Sequence, residues 1–367
     1  MSIFWNRVRA IEIHSSLMRK AFWLATTMAL AGSLHAETTP MKALLVLSKG
    51  DHTLSIVDPV SLKVIASMPS GPDPHEVIAT DDGKLAFISN YGGGAYNTLT
   101  VVDLVGQKTT GTIDLGALRG PHGLAFAGGK VYFTAEGAKV IGSYDPASQK
   151  IDWVMGTGQD RTHMVWVTHD LSTIVTSNVS SATMTFLEKV TRRMGPPPGG
   201  PPPQGGGPGG PPPGGTRTDW EETVVAVGRG AEGFDVSPDG KELWAANAQD
   251  GTISVLDLPG KKVVATLQAD VRSANRLKFT LDGKHVLVSL LGASDLVILD
   301  AATRTTVKRV KIGHGAAGIL MDPNGKVAYV ACTPDSYVAI IDLNSLEVAG
   351  HLNGGKEPDG LAWVERR

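Results

Sequence analysis

The chain has 367 residues and carries 34 lysines and arginines against 36 aspartates and glutamates. A formal charge of −2 argues against broad electrostatic binding of nucleic acids, which needs a strongly basic surface. The only cysteine is Cys332, so an intrachain disulfide is excluded. Cys332 stands within an apolar run, where we expect an inert buried thiol.

The first 36 residues have the pattern of an export signal. Met18-Arg19-Lys20 precedes the apolar stretch Ala21–Leu34, and Leu34-His35-Ala36 has the small residues of a cleavage site. The apolar stretch is too short for an ordinary membrane span. We predict cleavage after Ala36, with Met18 as an alternative start, and a mature domain over 37–367 without a membrane span. The protein would be exported, and periplasmic in a Gram-negative host.

A unit of about forty residues recurs along the rest of the chain. The stretch 233–241 reads GFDVSPDGK, and related stretches read RLKFTLDGK at 276–284 and GILMDPNGK at 318–326. Each copy leads into an alternating apolar run, a polar turn and a second run that ends in Asp. Short alternating strands repeated at this period are typical of β-propeller blades.

One junction residue before each inner strand marks the register of the repeat. The junctions are His75, His122, His163, Glu232, Asn275, Ala317 and Asp359. Successive junctions are 47, 41, 69, 43, 42 and 42 residues apart, and only the longest step contains an obvious insertion. The chain is therefore predicted to be an all-β, seven-bladed β-propeller with four antiparallel strands in each blade.

The two ends of the chain should complete one blade together. Only Leu361–Arg367 follows the last junction, which is enough for one strand. Lys42–Ala66 supplies the later strands of a blade that lacks its innermost one. Sharing a blade closes the ring and removes free sheet edges. We therefore expect loss of the last seven residues to be disproportionately harmful.

The insertion at 195–215 contains only glycine, proline and Gln204. Such a segment cannot bury a core, so a disordered, partly polyproline loop is predicted. It would separate the third and fourth strands of one blade, Met184–Val190 and Trp220–Val227, on the face opposite the junctions. We interpret it as a tolerated surface insertion, with docking of a proline-binding partner as the alternative.

Two further sets of residues are interpreted as structural. Recurring aspartates at the ends of third strands suit turn hydrogen bonding better than metal binding. They are Asp58, Asp103, Asp145, Asp257, Asp300 and Asp342. Large apolar residues of the alternating runs are assigned to the core between blades. They include Trp244, Tyr329, Phe126, Phe133 and Val236.

The junctions of a propeller ring one mouth of its central channel, and loops between second and third strands open on the same face. Three consecutive blades present histidine there, and the fourth presents Glu232. The predicted mouth residues are His75, His122, His163, Glu232, Asn275, Arg276 and Asp359, with Tyr91, Glu136, Asn178 and Asn247 from neighbouring loops. Concave pockets with convergent polar groups are the usual binding sites, so we place the site at this mouth.

Three imidazoles and a carboxylate allow several chemistries. His75, His122, His163 and Glu232 could ligate one divalent metal ion. Alternatively, His122 or His163 could act as a base, with Glu232 or Glu136 as an acid or metal ligand. The same groups could instead bond to channel waters and loop backbone.

The strand–turn–strand unit LWAANAQDGTISVLD at 243–257 resembles the YVTN repeat family of exported seven-bladed propellers. The resemblance extends over essentially the whole mature chain. It implies the propeller fold, and it leaves the function open because the family includes many binding and surface proteins.

Two local stretches resemble other propellers. ISNYGGG at 88–94, followed by Gly120-Pro121-His122-Gly123, is similar to motifs of 6-phosphogluconolactonase-type propellers. PHGL at 121–124 with VYFTAEG at 131–137 is similar to repeats of streptogramin-lyase-like propellers, which use a metal with His and Glu. This second resemblance implies roles for His122 and Glu136.

The sequence thus favours an exported propeller that binds a small molecule or a protein at its top face, and we expect a monomer. The alternative is an enzyme, a lactonase or lyase, that uses the His and Glu side chains of the same mouth. A third possibility is a scaffold whose broad face docks other proteins.

Overall fold

A computed structural model describes residues 38–193 and 216–366. Within these ranges, the strands form seven four-stranded antiparallel sheets, which confirms the predicted seven-bladed propeller. The predicted export segment 1–36 and the Pro/Gly segment 195–215 lie outside the described residues. Across the described ranges we find no helix with the length and apolar character needed to span a bilayer.

The blades are named A to G in ring order, and their strands follow one another along the chain. Blade A contains β1 (Lys42–Ser48), β2 (Thr53–Val57), β3 (Val64–Pro69) and β28 (Pro358–Glu365). Blade B contains β4 (Pro74–Ala79), β5 (Leu85–Asn90), β6 (Thr98–Asp103) and β7 (Lys108–Asp114). Blade C contains β8 (Pro121–Ala127), β9 (Lys130–Ala135), β10 (Val140–Asp145) and β11 (Lys150–Gly156).

The remaining blades have the same order. Blade D contains β12 (Thr162–Val167), β13 (Thr173–Asn178), β14 (Thr183–Arg193) and β15 (Thr216–Ala226). Blade E contains β16 (Ala231–Val236), β17 (Glu242–Asn247), β18 (Thr252–Asp257) and β19 (Lys262–Leu267). Blade F contains β20 (Ala274–Phe279), β21 (His285–Leu290), β22 (Asp295–Asp300) and β23 (Thr305–Lys311). Blade G contains β24 (Ala316–Met321), β25 (Val327–Cys332), β26 (Tyr337–Asp342) and β27 (Glu347–Leu352). Short 3-10 helices lie at Gly92–Gly94 and Glu136–Ala138.

The ring closes through blade A, as the sequence predicted. Strand β28 pairs antiparallel with β1, and Trp363 lies opposite Leu44. The innermost strands of successive blades contact one another around the whole ring, from β4 through β24 to β28 and back to β4. Closure therefore depends on hydrogen bonds between the two ends of the described chain.

Apolar side chains of facing blades form the core. Trp244 of blade E is fully buried and packs edge-on against Phe279 of blade F at a ring distance of 5.5 Å. The assignment of Phe133 and Tyr329 to the core is confirmed by their burial. Phe126 and Val236 are half-buried and pack against core clusters.

The recurring aspartates shape turns. Asp58 Oδ1 accepts a hydrogen bond from the backbone N–H of Val60 at 2.8 Å, two residues later. Asp145 and Asp342 accept equivalent bonds at 2.8 and 3.0 Å. This local bonding confirms the structural interpretation, because each carboxylate satisfies turn backbone that strands leave unpaired.

Every innermost strand has a register shift at its junction residue. In blade B, Pro74 lies opposite Asn90 and Val77 opposite Ile88, so His75 and Glu76 together face the single residue Ser89. Such a bulge bends the strand and re-aims its side chains. The junctions therefore present successive side chains at one end of the channel, which we call the mouth.

Candidate functional site

Two histidines from adjacent blades lie in contact at the centre of the mouth. His122 of blade C and His163 of blade D have ring centroids 3.8 Å apart, with an angle of 35° between the ring planes. Their exposed fractions are only 3% and 2%. Tyr91 and His75 also pack against His122, each with a ring distance of 5.0 Å.

His163 is held between two carboxylates. Its Nδ1 donates to Glu136 Oε1 at 2.5 Å, and its Nε2 lies 3.3 Å from Glu232 Oε1. The Tyr91 hydroxyl donates to the other oxygen of Glu136 at 2.6 Å. Arg161 lies above this group, 3.5 Å from Glu136 and 3.7 Å from Glu232. The contacts fix the orientation of the His163 ring, as a carboxylate does for a catalytic imidazole.

These surroundings drive the pKa values of the two imidazoles apart. Burial lowers the pKa of His122 well below 6.5, and the nearby positive charge of His163 lowers it further. Burial acts in the same direction on His163, but the charge of Glu232 and the hydrogen bond to Glu136 outweigh it and raise its pKa above 6.5. The charge of His163 in turn outweighs burial at Glu232 and lowers that pKa to about 2. The opposite directions of the two pKa shifts favour the protonated form of His163 and the neutral form of His122.

A second polar group occupies the side of the mouth formed by blades A and B. The ammonium of Lys49 lies 2.9 Å from His75 Nε2, 3.4 Å from Asp359 Oδ2 and 3.7 Å from Asp73 Oδ1. His75 Nδ1 also lies 3.5 Å from Asp359. Burial raises the pKa of Asp359, although the charges of His75 and Lys49 oppose this effect.

One ion pair crosses the channel between distant blades. Arg276 of blade F pairs through Nη2 with Glu76 of blade B, and these blades lie on opposite sides of the ring. Arg276 also donates through Nη1 to the backbone carbonyl of Asn275 at 3.1 Å. Burial alone would lower the pKa of Arg276, but the charges of Glu76 and Asp359 raise it.

Three buried polar atoms of the mouth have no hydrogen-bond partner within the described ranges. They are His122 Nδ1, His163 Nε2 and Asn275 Oδ1. Buried polar atoms are normally paired, because leaving one unpaired costs about 1–3 kcal/mol. All three belong to junction residues, and His163 Nε2 also has the Glu232 carboxylate 3.3 Å away. Five further atoms of this kind belong to other residues of the described chain, so the junction residues hold three of eight.

The predicted metal ligands contact other charged groups of the protein. The ammonium of Lys49 contacts His75 Nε2, and both nitrogens of His163 face carboxylates. Over residues 38–193 and 216–366, no group of three or more His, Cys, Asp or Glu side chains is arranged to hold a metal ion. Metal binding by His75, His122, His163 and Glu232 stays a prediction.

Two residues predicted to bind ligand make hydrogen bonds inside their own blades, and their role in ligand binding stays a prediction. The Asn178 amide donates to Thr183 and Thr185, at 3.0 and 2.9 Å. Asn247 donates to Thr252 and Ser254 in the same way. The sequence contains a pattern that predicts these hydrogen bonds. Each asparagine is followed, on the next strand, by two hydroxyl residues spaced two apart.

Sequence reasoning missed four residues of the mouth. Lys49 follows the second strand of blade A and could have been found by the loop rule that identified Tyr91 and Glu136. Glu76 directly follows a junction. The others are Asp73 and Arg161, which lie two residues before His75 and His163.

Comparisons with known proteins agree with this architecture. The family model "Cytochrome D1 heme domain" matches residues 216–332. No curated protein matches the sequence. A functionally unknown protein from Desulfotomaculum acetoxidans superposes with a TM-score of 0.67 at 12% identity, covering 89% of this chain and 99% of that one.

Two other solved structures carry names that suggest ligands. A Bacteroides fragilis protein provisionally named as a 6-phosphogluconolactonase has a TM-score of 0.65 and 16% identity, covering 89% of this chain and 99% of that one. The dihydro-heme d1 dehydrogenase NirN, in complex with DHE, has a TM-score of 0.58 and 17% identity, covering 86% of this chain. The match spans 64% of the NirN chain. At these identities the likeness shows the fold, and the molecule is a seven-bladed β-propeller with a histidine-lined, charge-paired mouth.

Proposed function

We propose that the mouth binds a small, uncharged polar molecule against His122 and His163. The observation that carries this proposal is the pair of stacked imidazoles, in which His122 Nδ1 is buried and without a hydrogen-bond partner in the described chain. His163 Nε2 lies 3.3 Å from the Glu232 carboxylate, and Asn275 Oδ1 is a second buried atom without a partner. A ligand with several hydroxyl or carbonyl groups would satisfy them, because each can exchange a hydrogen bond with a polar oxygen.

The charges of the mouth favour an uncharged ligand over an anionic one. Each cation already contacts a carboxylate of the protein. The contacts are Lys49 with Asp359, Arg161 with Glu136, and Arg276 with Glu76. A phosphorylated ligand would have to displace one of these carboxylates, leaving a buried charge unpaired at a cost of several kcal/mol.

The structural relatives suggest two ligand classes for a screen. A sugar lactone without a phosphate group suits the charges of the mouth. A heme, whose carboxylate groups make it anionic, is included as the competing class because the matched residues 216–332 contain Glu232, Asn275 and Arg276. The relatives otherwise support only the fold, so the ligand class depends on the mouth itself.

Thermal shift against sugar lactones, their polyols, the phosphorylated counterparts and heme tests the proposal. We expect a neutral lactone or polyol to raise the melting temperature of the wild type with saturation, as binding to the native state requires. Its phosphorylated counterpart should not. His122→Leu and Asn275→Leu should abolish the effect, and His169→Leu, which changes an exposed loop residue, should not. No stabilising ligand, or stabilisation unaffected by the mouth variants, would contradict the proposal.

A second candidate is an enzyme that transfers protons at the same imidazoles. His163 is protonated and oriented by Glu136, while the adjacent His122 is neutral, so one can donate and the other can accept a proton. In lactone hydrolysis, His122 would take a proton from the attacking water as the new C–O bond forms. His163 would protonate the ring oxygen as its bond to carbon breaks.

Lactone hydrolysis can be followed by titrating the released acid. We expect the rate to fall at least about 100-fold in both His122→Gln and His163→Gln, the usual scale for general acid–base groups. His169→Gln serves as the control. Binding of a lactone without turnover would support a binding protein over an enzyme.

We also propose that the chain is exported. Cell fractionation should place it in the periplasm of a Gram-negative host.

The metal prediction has its own test. Mass spectrometry of protein purified without a His tag measures the metal content of each chain. One metal per chain, lost in both His122→Ala and His163→Ala, would support it, and metal-free wild type would refute it.

A further inference from the structure

A buried hydroxyl links successive blades directly behind the mouth. Thr134 Oγ1 accepts from the backbone N–H of Gly123 at 2.9 Å and donates to the backbone carbonyl of His163 at 2.6 Å. Ser177 Oγ accepts from Met164 at 3.3 Å and donates to the carbonyl of Glu232 at 2.9 Å. Each hydroxyl thus joins the bulge of its own blade to the junction residue of the next blade.

The same link occurs at two other blades. Ser89 accepts from Glu76 at 3.1 Å and donates to the carbonyl of His122 at 2.8 Å. Ser289 accepts from Arg276 at 3.0 Å and donates to the carbonyl of Ala317 at 2.6 Å. All four hydroxyl residues have no more than 2% exposure.

The other three blades have apolar side chains at this position. They are Leu47, Ala246 and Ala331, opposite the bulges of β28, β16 and β24. The link is therefore not required by every blade. Three of the four links end on the backbone carbonyls of His122, His163 and Glu232, which belong to the proposed site. The fourth ends on the backbone carbonyl of an alanine.

We infer that Thr134 and Ser177 are positioning residues, which set the backbone of His163 and Glu232 so that the His163 ring stays between Glu136 and Glu232. The reason is geometric. The Nδ1–Oε1 distance of 2.5 Å and the Nε2–Oε1 distance of 3.3 Å depend on where each strand places its junction residue. A supporting shell that loosens by about 0.5 Å is enough to lose a productive arrangement.

This role rests on the proposed function, because it concerns the residues of the proposed binding site. Its test needs no ligand. Thr134→Val and Ser177→Ala are compared with wild type and with Ser289→Ala, the matched control. Thr134→Ser keeps a hydroxyl at this position and should therefore keep the wild-type titration midpoint of His163. The readouts are the melting temperature and the titration midpoint of the His163 ring, followed by NMR of isotope-labelled histidine.

All three losses of a hydroxyl should lower the melting temperature by similar amounts, because each leaves a buried carbonyl without its partner. Only Thr134→Val and Ser177→Ala should also lower the His163 midpoint, by about half a pH unit or more. An unchanged midpoint in both, or an equal change in Ser289→Ala, would overturn the inference. If Thr134→Val does not fold, Ser177→Ala with its control decides. A failed ligand screen would refute the proposed function and leave this result intact.

Discussion

At the scale of single residues, His122 and His163 occupy equivalent positions in the repeat but have different surroundings. Both occupy the second residue of an innermost strand and are almost completely buried. His163 contacts two carboxylates, which favour its protonated form, whereas His122 contacts aromatic rings and the His163 ring, and its neutral form is favoured. Identical side chains at equivalent places of a repeat therefore have pKa values shifted in opposite directions.

The raised pKa of His163 makes a prediction about stability. A histidine whose pKa is raised on folding stabilises the protein fully below the unfolded value, near 6.5, and this stabilisation is lost as pH rises through the folded pKa. His163→Gln should therefore lower the melting temperature more at acidic than at alkaline pH. His169→Gln, at an exposed loop, should show no such trend. A pH-independent cost of His163→Gln would contradict the assigned charge.

Most of the mouth residues could be predicted from the sequence to lie on one face of the propeller. The repeat register alone predicted that His75, His122, His163 and Glu232 share one face, and the loop rule added Tyr91 and Glu136. The sequence could not predict which groups pair, because each pair joins different elements of the fold and some join residues that are far apart in the sequence. Arg276 and Glu76 are separated by 200 positions, and no local pattern reports that contact.

At the scale of the strand, the bulge and its glycine allow adjacent innermost strands to approach. Gly233 follows the junction residue Glu232, and a Cβ there would lie 2.5 Å from the carbonyl oxygen of Asn275. That oxygen belongs to the backbone of the next blade and cannot move aside easily. The sequence pattern of junction residue and glycine therefore reports close packing around the channel.

Gly233→Ala should destabilise the protein by about 1–3 kcal/mol, as over-packing of a tight contact does. The matched control is Gly350→Ala, because a Cβ at Gly350 would meet nothing within 4 Å. Denaturant unfolding of both variants measures the difference. Equal stability of the two would show that the innermost strands are not packed as described.

At the scale of the whole molecule, the ring depends on the shared blade. Strand β28 carries the buried residues Ala362 and Val364 and covers β1 with hydrogen bonds. A chain that ends at Gly360 loses most of this strand and exposes the edge of β1. We expect it to be degraded rapidly in limited proteolysis, whereas a chain that ends at Glu365 should resist like the full chain. Equal resistance of both truncated chains would contradict closure by β28.

The ion pair across the channel also belongs to this scale, because it joins opposite sides of the ring. Glu76→Gln leaves the buried Arg276 without its main partner and should cost about 3 kcal/mol. Replacing both, as Glu76→Gln with Arg276→Met, should recover much of that loss. Glu347→Gln removes an exposed partner of Lys308 and should cost less than about 1 kcal/mol. Denaturant unfolding that gives equal costs for the two Glu→Gln changes would contradict the buried pairing.

The proposed function depends on two adjacent imidazoles in the mouth, one that favours the protonated form and one that favours the neutral form. The most direct test is an NMR titration of isotope-labelled histidines in the wild type, assigned with His122→Gln and His163→Gln. We expect the titration midpoint of His163 to lie above pH 6.5 and that of His122 to lie well below it. Titration of both rings together near pH 6.5, or a higher midpoint for His122 than for His163, would overturn the proposed arrangement.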